Sequence, residues 1–252
     1  MARIALITPT GARPKQMEFC AQFMKQQTYD GEVIWVIVDD AEPTTTDHVK
    51  HDFRAGWQIC KIYPKPSWSI GENTQGRNIM TGINYLQGFV DFKEIPAIFI
   101  IEDDDYYKPI YLAEMMRRWN PDAYDIMGES QTIYYNVAVR GWLRNKNDPW
   151  SSLFQTCFHP RIIPVVEHFQ HKQFIDMSLF SAIDPSRRRL FRADDLAIGI
   201  KGQAGRKGIG GGHSKMIGCY EHDPEGLILK KFIGDDAKYY LHGSDNSDIP
   251  NA

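Results

Sequence analysis

The chain has 252 residues, of which 42% are hydrophobic and 24% charged, with a formal net charge of −3. This is the composition of an ordinary soluble globular protein, long enough for one core or for one core with an appended half. The near-neutral balance excludes bulk electrostatic attraction to nucleic acid, although it leaves room for a local basic groove. Cys20, Cys60, Cys157 and Cys219 form no CxxC pair and have no histidine at zinc-ligand spacing. They read as thiols of a reducing compartment, neither a disulfide frame nor a zinc site. No window approaches a membrane span, and the first apolar run, interrupted by Pro9, is too short for a signal peptide. A cytoplasmic location is expected, with at most peripheral membrane contact.

Residues 4–8 form a short apolar strand, followed by a turn over Pro9–Pro14 and an amphipathic helix over 15–27. A second apolar run at 33–38 ends in Asp39-Asp40. A third strand is expected at 58–63 and a helix at 73–86, with Ile79, Ile83 and Leu86 at helical spacing. A fourth strand at 95–101 ends in Glu102-Asp103-Asp104-Asp105, and a helix follows at 111–119. Strands apolar on both faces, alternating with helices, predict an α/β fold with a mostly parallel sheet covered on both sides. In such sheets ligands collect beyond the carboxyl ends of the strands. Thr8–Arg13, Asp39-Asp40 and Glu102–Asp105 all fall there.

Four adjacent carboxylates at a strand end repel one another unless a cation is present. One reading is a hard divalent metal held through oxygen ligands, with phosphates on its other face. The other is a solvated acidic turn capping the next helix. Asp105 in particular is expected to be that helix N-cap.

Along the first 110 residues, in order, the segments Ile7–Pro14, Ile34–Asp40, Gly76-Arg77-Asn78 with Gly82, and Ile101–Pro109 resemble the motifs of GT-A-fold glycosyltransferases of the family 2 type. Glu102 departs from the aspartate that many members carry at that position. The resemblance implies a single GT-A domain: residues 1–110 as the nucleotide-sugar half, 111–242 as the acceptor and catalytic half, and 243–252 as a polar tail. It implies Mn2+ or Mg2+ and a nucleotide-sugar donor, most simply a UDP-sugar. Asp104 is the position that would reach the metal, with Glu102 and Asp103 on ribose or supporting the metal through water. Thr8, Thr10 and Arg13 would touch base and phosphate. Asp39 and Asp40 would meet base or ribose, or merely form a turn. Arg77 would touch the nucleotide or pair with the acidic edge.

Beyond residue 119 the alternation fades. Strand material is expected at 128–139 and a helix at 173–183. Residues 199–213 are rich in glycine, with Lys201, Arg206 and Lys207, and suit either a phosphate-covering lid or a flexible surface loop. This loop also resembles segments of small phage-type glycosyltransferases, which would place the protein in a host cytoplasm. By the same resemblance His213, and second His222, are candidate metal ligands. An inverting enzyme needs a carboxylate to deprotonate the acceptor. Asp176 is the first candidate and Asp195 the competitor, either being equally readable as a helix cap. Trp142, Trp150 and Phe154 suit core packing or stacking on an acceptor. Ser186–Arg192 is a basic run that fits a solvated face or the phosphates of an acceptor such as modified DNA. A nucleotidyltransferase, which usually has a glycine-rich loop after the first strand, and an inactive sugar- or partner-binding domain are the alternatives. Only Gly11 is present at that turn.

Overall fold

The structure is a computed structural model and describes residues 2–50, 52–192, 196–206 and 218–241. Two sheets organise it. The first has seven strands: β1 (Ile4–Thr10), β2 (Val33–Asp39), β3 (Trp57–Ile62), β4 (Ile98–Ile100), β6 (Ile126–Glu129), β9 (Thr156–Phe158) and β10 (Arg188–Phe191). Their order is β10-β6-β9-β4-β1-β2-β3. β4, β1, β2 and β3 run parallel, as do β10 and β6, while β9 is antiparallel to both its neighbours. The second sheet is mostly antiparallel: β12 (Glu221–His222), β8 (Gly141–Lys146), β7 (Gln131–Asn136), β11 (Ala197–Lys201) and β5 (Tyr106–Tyr107), in that order.

The central strands are buried on both faces because their apolar residues alternate between two cores. Ile4, Leu6, Val33, Trp35, Ile37 and Phe99 enter one core together with Met17, Cys20, Phe23 and Met24 of α1 (Pro14–Lys25). Ala5, Ile7, Ile34, Val36, Val38, Ile98 and Ile100 enter the other, against Ile79, Met80, Ile83 and Leu86 of α2 (Gln75–Gln87). Each fully buried isoleucine or phenylalanine contributes about 1.5–3 kcal/mol. This is the predicted α/β layering with a mostly parallel central sheet. Proline at the first position of α1 fits a turn whose N–H groups lack intrahelical partners.

Two elements depart from expectation. Regular strand structure in β4 covers only Ile98–Ile100, Pro96 having no N–H to give to the ladder. The single strand expected at 128–139 is two strands, β6 and β7, broken at Ser130, where the chain leaves one sheet for the other. Ser130 N–H donates to Phe191 O at 2.8 Å on the first sheet, and its carbonyl accepts from Asn147 N–H at 2.9 Å. The remaining helices are α3 (Tyr111–Arg118), α4 (Ile163–Phe169), α5 (Ile175–Ala182), α6 (Leu227–Ile233) and α7 (Lys238–Leu241). Among the described residues no helix is long and apolar enough to cross a membrane. The polar tail at 243–252 lies outside the described residues.

Candidate active site

β4 delivers the four carboxylates into a tight turn, in which Asp105 N–H donates to Glu102 O at 3.4 Å and Glu102 N–H donates to Tyr107 Oη at 2.8 Å. The turn sends the side chains two ways. Asp103 points back under β1, accepting from Thr10 Oγ1 at 2.5 Å and pairing with Arg13 Nη2 at 2.7 Å. Glu102, Asp104 and Asp105 face the other way and can each present one oxygen within 4.8 Å of the other two. Arg13 Nη1 donates to Asp104 Oδ2 at 3.0 Å, and Gln75 Nε2 donates to Glu102 Oε1 at 2.6 Å. Asp105 Oδ1 accepts from Ile200 N–H at 2.8 Å and Lys201 Nζ at 3.1 Å, while its Oδ2 is buried with no hydrogen-bond partner among the described residues. Asp105 is therefore not the helix cap expected of it: the residue preceding α3 is Ile110, with no side-chain cap, and Asp105 ties β5 to β11.

The electrostatics follow from crowding out of water. Burial, then Asp105, pushes Glu102 well above the usual carboxylate range. Burial also raises Asp103 to about 6 against the pull of Arg13, and Asp105 to about 7 against the pull of Lys201. Burial acts on Asp104 too, but Arg13 and Lys201 outweigh it and hold Asp104 below its ordinary value. Burial would lower Arg13 and Lys201, yet the surrounding carboxylates win and both are shifted up, so both stay charged.

Asp40, at the end of β2, is a second hub. Its Oδ2 accepts from Thr74 Oγ1 (2.5 Å), Asn78 Nδ2 (2.8 Å) and Arg77 Nη2 (3.2 Å), and its Oδ1 from Arg206 Nη1 (2.5 Å). The Arg206 guanidinium lies 4.2 Å from the Trp68 ring centroid. A Cβ on Gly11 would sit 2.2 Å from Asp40 Oδ1 and 2.8 Å from Arg206 Nη1, so the turn after β1 approaches this pair only as glycine. From β11 to Arg206 the chain is pinned across the acidic edge. Gln203 Nε2 donates to Asp104 O at 2.7 Å, and Gln16 Nε2 to Ala204 O at 2.5 Å.

A cavity of about 580 Å3 opens between these groups and the wall formed by α5, β7 and the 145–154 segment. Asp176, in the first turn of α5, lines it, and burial raises its carboxyl against the opposing pull of Met177 N–H at 2.9 Å. The wall is a dense polar network: Ser152 Oγ meets Tyr134 Oη at 2.8 Å, Thr132 Oγ1 at 3.0 Å and Asn147 Nδ2 at 2.8 Å, and Asn145 donates to Asn147 at 2.7 Å. Trp150, Phe154, Phe174 and Met177 also line the cavity, the last two 53% and 40% exposed.

Of the residues singled out from sequence, Thr10, Arg13, Glu102, Asp104, Asp176, Lys201 and Arg206 line this one cavity. Asp40, Asp103 and Arg77 stand behind it, bonded to lining residues or to one another; Arg77 thus takes the acidic edge. Thr8 is elsewhere: it is fully buried and accepts from Trp35 Nε1 at 2.9 Å. Asp39 is folded into its own loop, accepting from the N–H groups of Ala41, Thr45 and Thr46 at 3.1, 2.6 and 3.0 Å. His222 is exposed in β12 and away from the cavity lining. Asp195, Lys207 and His213 lie outside the described residues. Trp142 packs on Phe232 at 5.5 Å. Three arginines of the basic run sit on the scaffold: Arg187 pairs with Asp125 at 2.7 Å, Arg188 donates to Ile183 O at 2.5 Å, and Arg189 lies 5.7 Å from the Tyr124 ring. Sequence reasoning missed the Asn145–Ser152 wall and Gln75. The nearest signal was the cluster of amides and hydroxyls beside Trp150, which has no periodicity to mark it.

No protein-family model matches the chain, and no curated protein does. Solved structures do. S. aureus TarS 1–349 in complex with UDP-GlcNAc superposes with a TM-score of 0.59 at 12% identity, over 83% of this chain and 60% of that one. The same TarS segment with UDP gives 0.53 at 12% identity, over 79% and 60%. A longer TarS chain gives 0.54 at 12% identity, over 79% of this chain and 37% of that one. This chain thus spans 60% of the 1–349 segment and 37% of the longer chain, less than two thirds of either. TarS is a GT-A-type glycosyltransferase, and the likeness establishes the GT-A fold for this chain.

Proposed function

We propose that this protein is a glycosyltransferase that moves a sugar from a nucleoside-diphosphate donor, most simply a UDP-sugar, to an acceptor hydroxyl with inversion. The observation that carries the reading is that Glu102 and Asp104, beyond β4, and Asp176 of α5 face one cavity, with Arg13, Lys201 and Arg206 on its donor side. The TarS complexes with UDP-GlcNAc and UDP support the donor class through the shared fold.

The residues fit a hard divalent cation, Mn2+ or Mg2+. Three carboxylates converge, all donors are oxygen, and Asp105 Oδ2 is buried with no hydrogen-bond partner among the described residues. Glu102, Asp104 and Asp105 would hold it. When bound it supplies Lewis-acid stabilisation of the negative charge that builds on the leaving diphosphate. The chain supplies the rest. Lys201 and Arg13 add fixed positive charge at the same edge. Thr74, Asn78 and Arg206, organised by Asp40, bind the nucleoside end. Asp176 accepts the acceptor's proton as that oxygen attacks the anomeric carbon and the diphosphate departs from the opposite face. Its burial-raised carboxyl suits a base better than a solvated aspartate does. Residues 1–110 serve as the nucleotide-sugar half and 111–242 as the acceptor half, apart from Lys201 and Arg206, which reach back to the donor. The acceptor class, modified DNA included, gains no support from Arg187, Arg188 and Arg189 of the basic run, which are engaged away from the cavity. The free cysteines, three of them buried, suit a cytoplasmic location.

The test is release of nucleoside diphosphate from a panel of nucleotide sugars, with and without Mn2+ or Mg2+, in wild type and Asp104→Asn. Metal-dependent release, lost in Asp104→Asn by about a hundredfold or more, is expected. Absence of both nucleotide binding by calorimetry and release from every donor overturns the reading. It would leave the inactive binding domain.

A further inference from the structure

Among the described residues, the four carboxylates Glu102 to Asp105 share two fixed cations, Arg13 and Lys201. Arg13 is committed to Asp103 and Asp104 at 2.7 and 3.0 Å. Lys201 is held on Asp105 Oδ1 at 3.1 Å, with its side chain only 14% exposed. The register of β11 between β5 and β7 fixes the Lys201 backbone opposite Asn136, and its ammonium lies 5.7 and 5.8 Å from the Tyr134 and Phe154 ring centroids. This is a built position rather than a wandering surface lysine. The other oxygen of the same Asp105 carboxylate, Oδ2, is buried and has no hydrogen-bond partner among the described residues, and Asp105 belongs to the group of carboxylates that converge within 4.8 Å of one another. One carboxylate therefore carries the resident ammonium on one oxygen and offers its second oxygen to an incoming cation.

We propose that Lys201 makes divalent-metal binding conditional on the donor diphosphate. The inference rests on the transferase reading above. A divalent cation entering among Glu102, Asp104 and Asp105 without nucleotide meets an ammonium across the width of a single carboxylate, in a site shielded from water, where like charges repel strongly. A diphosphate brings negative charge that gives the ammonium a second partner, and the repulsion is relieved. Metal and donor then bind as a pair, and by linkage each tightens the other by the same factor.

The experiment is Mn2+ binding, read by the electron paramagnetic resonance signal of free Mn2+, with and without UDP. In wild type UDP is expected to tighten Mn2+ by about tenfold or more, and in Lys201→Met Mn2+ without UDP is expected to bind about tenfold tighter than in wild type, with the gain from UDP cut to about threefold or less. Lys201→Arg, which keeps the charge, is expected to keep the coupling. If Lys201→Met does not fold, Lys201→Gln, which can still donate to Asp105, serves the same comparison. Equal Mn2+ affinity with and without UDP in wild type overturns the proposal, as does unchanged affinity in the charge-removing variant, or UDP binding with no Mn2+ binding at all. Failure to bind UDP with or without either cation overturns the transferase reading instead.

Discussion

Asp40→Asn tests the junction between the two halves of the site. The Asp40 carboxylate is 1% exposed and all four of its side-chain partners are donors: Thr74, Asn78 and Arg77 on one oxygen, Arg206 on the other. An asparagine must turn its NH2 toward one side or the other, so a donor faces a donor whichever way it flips. It also removes the charge that neutralises Arg206, whose side chain is 14% exposed. Removing one partner of a buried pair costs about 3–5 kcal/mol. Arg77, 32% exposed, can turn to water, so the lower end, about 3 kcal/mol, is expected. For a chain of this size that lowers the melting temperature by about 6–12 °C. Arg206→Met leaves Asp40 three donors, so it is expected to cost less, about 1–2 kcal/mol. Calorimetric melts of both single variants and the double variant give the coupling, expected to be about 1.5 kcal/mol or more. A fall of less than about 2 °C for Asp40→Asn, or a coupling under about 0.5 kcal/mol, would refute the argument that Arg206 clasps Asp40 in solution.

Asp176→Asn is expected to lower transfer by about a hundredfold or more while leaving the dissociation constant for UDP within about twofold. In wild type, kcat/KM is expected to rise with pH along an acid limb above the ordinary aspartate value, because burial raises the Asp176 carboxyl; near-normal turnover in the variant sinks the base assignment. Stability without metal or donor is expected to fall as pH rises from about 4 toward 7. Asp103 and Asp105 are raised to about 6 and about 7, so across that window the folded chain holds protons that the unfolded chain has released, and the stability they contribute at low pH is lost. Denaturant melts across that range check the sign; a rise attributable to these residues, as judged against Asp103→Asn and Asp105→Asn, contradicts it. Gly76→Ala is expected to destabilise by about 1–3 kcal/mol or more, since overpacking against backbone cannot relax. The added Cβ would lie 1.9 Å from Gln170 O, wedging α2 off the end of α4. Denaturation midpoints unchanged from wild type would show that the two helices are not in that contact.

The sequence by itself determined the layered core and the edge at which the chemistry gathers. Ile4–Ile7 and Val33–Val38 are apolar at every position, and only a strand covered on both sides buries both alternating sets; such strands discharge their polar termini at one edge. That is why Thr10, Arg13, Asp40 and the acidic turn were legible as one polar cluster. The direction of each carboxylate was not. Asp103 and Asp105 are neighbours of the same chemistry in one short turn, yet one goes under β1 to Thr10 and Arg13 and the other across to β11. A tight turn sets those vectors, and partners 90 or more positions away reward them. Thr8 and Asp39 carried the right chemistry in the right segments. They were lost to Trp35 and to a local loop because a buried hydroxyl or carboxylate takes the donor or acceptor that packing places beside it. The second sheet, the break at Ser130 and the amide wall around Ser152 also came only from tertiary structure. Nothing local distinguishes a strand that continues from one that changes sheets, and a polar network has no period. Bringing Asp176 of α5 to face Asp104 across one cavity is the same kind of fact: it depends on how α5 and β7 close over the first sheet.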